Sequence, residues 1–278
     1  MDNIIKYYSS FDEWGRLDRE PIEYMINLHF IRKFLPEQGL ILDNGAGPGK
    51  YAIELAKSGY HIVLTDLTPN LVEVAKGKAK ELEVEDHFKG FHVADATNLN
   101  MLEDEQFDGA LMLGPLYHLQ SEVERIQALS ELHRVTKKDG IVFVAFISKI
   151  RHLTTSLLFP ELWKPNHNVD GIENFLATGH FNHSDEGRFT GAYYFDIEDI
   201  KPFMKDHGFE CINVIASGSV VGAMKPEQWD YWRSRGQEEY DHIMEIVMKA
   251  AENPYILGAS SHLLFIGRRI ELEQGSED

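Results

Sequence analysis

Leu40-Ile41-Leu42-Asp43-Asn44-Gly45-Ala46-Gly47-Pro48-Gly49-Lys50-Tyr51 is the stretch around which this chain is organised. Three apolar residues run into an aspartate and then into glycines at every second position. A short unbroken apolar run suits a parallel strand covered on both faces, where alternation is not required. The glycines permit a tight turn and let backbone approach a ligand with no Cβ in the way. Pro48 suits the first turn of a following helix, where its missing N–H is no loss. Strand, glycine turn and helix, in that order, mark where a nucleotide-like ligand meets a doubly wound sheet.

The spacing discriminates among ligands. A dinucleotide fold reads G-x-G-x-x-G, its third glycine packing helix against strand beside a pyrophosphate. Here Lys50 stands in that third position and Asp43 precedes the loop. A carboxylate at the lip is a poor neighbour for a pyrophosphate and a good one for a cationic amine. Taken alone, the loop is equally a plain strand-to-helix turn.

Acidic residues at the ends of later strands give the loop company. A second strand, residues 62–65, ends at Asp66, about 20 positions past the loop, the spacing at which an acid accepts ribose hydroxyls. A helix cap is the alternative, but Thr68 and Pro69 already supply an N-cap and a first turn. A third strand, residues 91–94, stops at Asp95-Ala96, where turn formation competes for Asp95; His92 reads as structural. The fourth strand, residues 107–113, runs into Gly114-Pro115-Leu116-Tyr117-His118-Leu119. Ser121 and Glu124 have capping-box spacing for a helix whose core face is Ile126, Leu129, Leu132 and Val135. Gly140 introduces a fifth strand, residues 141–147. Strands alternating with helices predict an α/β fold with an open, mostly parallel sheet.

Both flanks differ from this core. Ahead of it, Tyr7, Tyr8, Phe11 and Trp14 crowd four aromatics into eight positions. Pro21, Ile22, Tyr24, Met25, Leu28, Ile31, Phe34 and Leu35 then recur at helical intervals until Pro36. This helical cap, residues 1–38, either packs on the sheet edge or folds over a ligand as a lid. Arg16 and Arg19 either pair with a carboxylate or are solvated. Beyond the core, residues 39–148, regularity lapses. Residues 149–194 mix His152, Phe159, Trp163, His167, His180, Phe181, His183, Phe189, Tyr193 and Tyr194 with glycines and polar turns. A helix capped by Asp196, a strand at 209–215, an amphipathic segment at 229–251 and a last strand at 262–267 complete the pattern. Residues 149–278 thus read as substrate-lid insertions plus the last elements of the same sheet.

A chain of 278 residues, 43% hydrophobic and 26% charged, can bury a sizeable core. Its 27 Lys and Arg against 45 Asp and Glu give a net charge of −18, which argues against non-specific nucleic-acid binding. Cys211 is the only cysteine, so no intrachain disulfide forms, as suits a reducing cytoplasm. No secretory h-region and no membrane-length apolar run appear. No His, Cys and carboxylate cluster has metal-ligand spacing, so no metal is expected.

Asp43 to Gly49, Asp66, Asp95-Ala96 and Leu113-Gly114-Pro115 together resemble the successive cofactor motifs of the class I S-adenosyl-L-methionine (SAM) dependent methyltransferases. Residues 129–140, leading into strand five, are similar as well. Phe11-Asp12-Glu13-Trp14-Gly15-Arg16-Leu17, Gly114 to Leu119 and Leu257 to Leu264 resemble a bacterial subgroup of small methyltransferases. Asn44 departs from the family's apolar preference. The resemblance implies a Rossmann-like, mostly parallel seven-stranded sheet with helices on both faces and a helical lid. It implies SAM as cofactor and S-adenosyl-L-homocysteine (SAH) as product. Gly45, Ala46, Gly47 and Gly49 would lie against the methionyl and ribose parts, and Asp43 would face the methionyl ammonium. Asp66 would take the ribose hydroxyls with Leu67 on the adenine, and Asp95 and Ala96 would read the adenine edge. Leu113 and Gly114 would flank the methionyl group, and Tyr8 and Arg19 of the cap are counted with these contacts.

Methyl transfer asks for alignment more than for side-chain chemistry. His118, just past strand four, is the candidate catalytic base, with ordering of the Gly114–Leu119 loop as its competing role. His152, His180 and His183 are weaker candidates. The chain lacks the Asn/Asp-Pro-Pro-Tyr pattern of methyltransferases acting on exocyclic amines, and one cysteine rules out the multi-cysteine arsenic enzymes. The expected acceptor is a small, partly apolar molecule, with no nucleic acid or membrane partner. A catalytically silent SAM-binding regulator is the alternative, and a nicotinamide-dependent oxidoreductase, disfavoured by Lys50, is a third.

Overall fold

The structure is a computed structural model that describes residues 14–15, 21–185 and 191–272. The expectations for Tyr7, Tyr8, Phe11, Arg16, Arg19 and Phe189 lie outside the described residues. Nine strands are described, β1 (Leu40–Asn44), β2 (His61–Asp66), β3 (Phe88–Val93), β4 (Phe107–Met112), β5 (Thr136–Ile147), β6 (His180–Phe181), β7 (Ala192–Tyr193), β8 (Phe209–Ala216) and β9 (His262–Arg269). Seven form one sheet in the order β3-β2-β1-β4-β5-β9-β8, and β6 pairs with β7 separately. The first five run parallel, and β9 enters antiparallel between β5 and β8. The order reverses beside β1, so the C-terminal ends of β1 and β4 open the crevice where α/β sheets bind ligands.

Helices α1 (Pro21–Phe34), α2 (Lys50–Lys57), α3 (Pro69–Glu81), α4 (Pro115–His118), α5 (Glu122–Val135), α6 (Lys149–Leu158), α7 (Val169–Thr178), α8 (Ile197–Asp206), α9 (Pro226–Ser234) and α10 (Gln237–Ala251) surround the main sheet. Alternate strand residues serve opposite faces, as the pleat requires. Ile41, Ile62 and Leu64 meet α1, α2, α3 and α10, whereas Leu42 and Val63 meet α5 and α8. A third cluster, Ile147, Phe175, Phe181, Ala192 and Tyr194, forms the core of the insertion after β5. The late strands β8 and β9 close the main sheet against β5, so the last third of the chain completes the same body.

Several local expectations change. Ile126 is 38% exposed, and the inner face of α5 is Arg125, Ala128, Leu129, Leu132 and Val135. Arg125 takes the position because its guanidinium donates to the Leu119 and Gln120 carbonyls at 2.9 and 2.7 Å and stacks 3.7 Å over Tyr193. Ser121 is the N-cap of α5 with no side-chain cap hydrogen bond, so the expected capping box is absent. Asp196 also caps α8 without a side-chain bond, its carboxylate being paired with Lys149. The segment read as one amphipathic stretch is two helices, broken at Gly236 with φ 102°.

Candidate active site

The crevice deepens into one continuous cavity of about 1410 Å³. Asp43, Gly45, Gly47, Asp66, Leu67 and Asp95 border one end, with Ala46, Ala96, Leu113 and Gly114. Tyr117, His118, Arg151, His152, Trp163 and Tyr194 border the other. Ligand pockets commonly measure about 300–1,000 Å³. The cavity therefore has room for more than one small molecule.

The first end is built from backbone. The N–H groups of Gly45 and Ala46 both donate to Thr65 O, at 2.8 and 3.0 Å, tying the loop to the end of β2. Gly47 N–H donates to Asp66 Oδ2 at 2.7 Å, and Thr68 N–H donates to Asp66 Oδ1 at 2.8 Å. Asp66 therefore performs the local capping duty weighed against a ligand role, while bordering the cavity. Asn44 is explained by the same tie: Thr65 Oγ1 donates to its Oδ1 at 3.0 Å. Gly45 has φ 71° and Gly47 φ 57°, backbone that favours glycine. Gly49, φ 79°, does not border the cavity; a Cβ there would meet Leu64 and Ala75, so it packs α2 onto the sheet.

The carboxylates differ in state. Asp43 is 2% exposed, and its Oδ2 is buried with no hydrogen-bond partner among the described residues. Burial, reinforced by nearby Asp66, pushes its pKa up to about 7. Burial also raises Asp66, against its two backbone hydrogen bonds. Asp95 is half-buried, with Oδ1 occupied by the N–H and hydroxyl of Thr97 at 2.9 and 2.8 Å. The turn-forming use of Asp95 is thus present in the structure. An orphaned buried carboxylate oxygen beside a second carboxylate calls for a cation, and glycine backbone leaves the space above it open.

At the other end, His118 closes the one-turn helix α4, its ring tilted 44° to that of Tyr117 with centroids 4.9 Å apart. Burial lowers its pKa to about 4, despite a backbone hydrogen bond to Gly191 that favours the charged form. That bond ties the Gly114–Leu119 loop to the strand region near β7. His152 is only 5% exposed, ringed by Trp163, Phe175, Phe181 and Tyr194 at 4.3–5.1 Å. His180 and His183 serve as latches, their Nε2 atoms 2.9 Å from the carbonyls of Gln120 and Leu162. No group of His, Cys, Asp and Glu suited to a metal occurs among the described residues.

Sequence reasoning gave no site role to Arg151, Glu23 or His262. Glu23 Oε2 lies 2.9 Å from His262 Nδ1, so α1 reaches across to the start of β9. The motif spanning Leu257 to Leu264 and that spanning Gly114 to Leu119 both border this end through Ser260, His262, Tyr117 and His118. That coincidence was the available signal.

A family model described as a methyltransferase domain matches residues 42–144, the span from β1 to β5 that carries the glycine loop and the strand-end acids. Residues 42–144 are a methyltransferase domain of the class I SAM-dependent type. This methyltransferase is 25% identical to a Geobacillus sp. (strain WCH70) protein named as a methyltransferase, over 75% of this chain and 91% of that one. It is 36% identical to a tRNA (carboxymethyluridine(34)-5-O)-methyltransferase of Arabidopsis thaliana, over 60% of this chain but 37% of that longer protein. A solved SAM-dependent methyltransferase from Methanosarcina mazei shares its fold, with TM-score 0.59 and 19% identity over 87% of this chain and 98% of the other. Among the described residues, no helix is long and apolar enough to cross a membrane.

Proposed function

We propose that the methyltransferase transfers the methyl group of SAM to a small-molecule acceptor held in the same cavity. The supporting observation is the continuity of that cavity, from the glycine loop and strand-end acids to a wall of aromatic and basic side chains. SAM, when bound, supplies an electrophilic methyl group on a sulfonium, so the chain's own task is chiefly alignment and exclusion of water.

In this reading Asp43 holds the methionyl ammonium, whose charge answers the orphaned Oδ2. Asp66 receives the ribose hydroxyls on lone pairs left by Gly47 and Thr68, since each carboxylate oxygen accepts more than one hydrogen bond. Leu67, Asp95 and Ala96 form the adenine side, and Leu113 and Gly114 lie along the methionyl chain. Gly45, Ala46 and Gly47 supply the close backbone approach, and Gly49 supports them from behind. Tyr117, Trp163 and Tyr194 shelter the acceptor. His118, the proposed base, is neutral at pH 7 and suits only an acceptor with a readily lost proton. Residues 39–148 act as the cofactor-binding core, and the cap and residues 149–278 as the acceptor's enclosure.

The relationship to a tRNA methyltransferase favours a second acceptor, a nucleic-acid base. The net charge of −18 counts against it, because RNA backbone binding rests on Lys and Arg. A metabolite extract and a total tRNA preparation, each incubated with methyl-labelled SAM, separate these readings. Label in a metabolite supports the proposal, label in tRNA replaces it, and label in neither while SAH binds leaves a silent SAM binder.

A further inference from the structure

Among the described residues, Arg151 is a cation without a counter-charge. It sits in the first turn of α6, next to His152, and borders the acceptor end of the cavity. Its backbone N–H donates to Ser148 Oγ at 3.2 Å, but its side chain has no such partner. Nε is buried with no acceptor, and no ion pair, hydrogen bond or ring contact of the guanidinium occurs among the described residues. The other charges at this end are engaged. Glu23 is paired with His262, Arg233 lies 3.1 Å from Asp230, and Glu124 lies in the field of Arg125.

A half-buried guanidinium left unpaired is costly unless something else supplies the anion. Its planar fork matches a carboxylate, which it can bind through two parallel N–H bonds. The surrounding walls are apolar and flat: Tyr117, Trp163, Tyr194 and Trp229 border the same space. A phosphate dianion would call for further cations, and among the described residues Arg151 is the one at this end lacking a partner. The methionyl carboxylate of the cofactor is a poorer fit. Arg151 follows β5, two strands from β1 and Asp43 in the sheet order, a separation of roughly 10 Å at about 4.8 Å per strand. The overall negative charge does not oppose this, since exposed charges more than about 10 Å away are largely screened at 0.1 M salt.

We propose that Arg151 is the carboxylate anchor of the acceptor subsite, and that the acceptor is a small aromatic acid carrying one negative charge. This rests on the methyltransferase reading of the cavity and narrows its substrate class.

The test uses full-length protein saturated with SAH and three matched probe pairs: 4-hydroxybenzoate and its amide, anthranilate and its amide, and indole-3-acetate and its amide. Isothermal titration calorimetry reads affinity, and a thermal shift confirms that each variant is folded. The expected result is an acid that binds at least tenfold more tightly than its amide. R151Q should erase that preference while changing SAH affinity less than twofold, and R151K should keep part of it. The proposal is overturned if no acid outbinds its amide, if the preference survives in R151Q, or if R151Q weakens SAH as much as the acid. Failure of SAH to bind the unaltered protein would be a different failure, that of the cofactor site, and would remove this assignment with it.

Discussion

The carboxylate of Asp66 accepts the backbone N–H of Gly47 at 2.7 Å, joining the acid at the end of β2 to the loop that leaves β1. The loop's shape and its proposed ribose-binding acid are therefore one unit. Asp66→Ala should leave the N–H groups of Gly47 and Thr68 without their acceptor and remove a charged hydrogen-bond acceptor from the cofactor. SAH affinity should fall by about 1.5–3 kcal/mol, roughly 10- to 150-fold. Asp66→Asn, which keeps one oxygen, should lose less stability but still bind SAH more weakly. Calorimetric titration at fixed salt measures both, and undiminished SAH binding by the Ala variant would remove Asp66 from the site.

Gly45→Ala addresses the loop directly. Its φ of 71° is a left-handed conformation, costing an L-residue about 1–2 kcal/mol. A Cβ would also come within 2.2 Å of the Pro115 ring, forcing the β4 loop away. Both effects act in the same direction, so urea unfolding should show a loss of about 2 kcal/mol or more, with weaker SAH binding. Full stability in the Ala variant would mean that Pro115 does not hold that position in solution.

The parts legible in the sequence were those governed by local chemistry. Leu40 to Tyr51 announced strand, turn and helix because glycine and proline act through backbone freedom, which needs no tertiary information. Asp66 was legible as an acid ending a strand, but its bond to Gly47 spans 19 residues and depends on β1 and β2 being neighbours. Ile126 was misread because a 3.6-residue stripe treats arginine as outward-facing, whereas Arg125 finds two carbonyls and an aromatic ring inside. Helices α6 and α7 were hidden because their buried positions, His152 and Ser156 in one and Phe175 in the other, do not make the apolar stripe that announces a core-facing helix. Arg151 could not be read as a site at all. Its significance is the lack of a partner among the described residues, which only the assembled cavity reveals.

Asp43 should make cofactor binding depend on pH in a defined sense. Its pKa of about 7 in the unliganded protein means that it is half protonated there, and a cationic ammonium binds the ionised form. SAH affinity should rise by up to tenfold per pH unit below 7, level off, and decline only at the more alkaline pH where the ligand's own amino-acid ammonium deprotonates. Binding at pH 6 should release a proton, detectable as a buffer-dependent heat. Asp43→Asn should bind weakly and without that rise; a flat profile in the unaltered enzyme would separate Asp43 from the ammonium.

His118 yields a kinetic expectation. A base with its pKa lowered to about 4 remains deprotonated through pH 5, so with SAM saturating, which holds Asp43 ionised, kcat/KM for the acceptor should show no loss near the ordinary histidine value of 6.5. An acid limb centred at 6–7 that vanishes in His118→Asn would show a more basic imidazole than this burial allows.

His152 separates stability from function most clearly. Its ring is 5% exposed, its Nε2 has no partner among the described residues, and burial lowers its pKa to about 4. The unfolded chain begins to bind a proton at this residue as pH falls through about 6.5, whereas the folded protein resists until about 4. The stability held by the neutral ring is therefore complete above the unfolded value and lost as pH falls through that window, by up to about 3 kcal/mol. His152→Phe removes both the orphaned nitrogen and the titration while keeping a ring among Trp163, Phe175, Phe181 and Tyr194. At pH 7 the variant should be as stable as the parent or more so, because an unmade buried hydrogen bond costs about 1–3 kcal/mol. Between pH 6.5 and 4.5 its stability should fall less steeply, the remaining slope coming in part from His118. Methyl transfer, by contrast, should drop in the same variant if the imidazole meets the acceptor. Urea unfolding at pH 5 and 7, paired with turnover at pH 7, reads all three quantities, and a Phe variant less stable at pH 7 would mean that the imidazole has a partner in the folded protein.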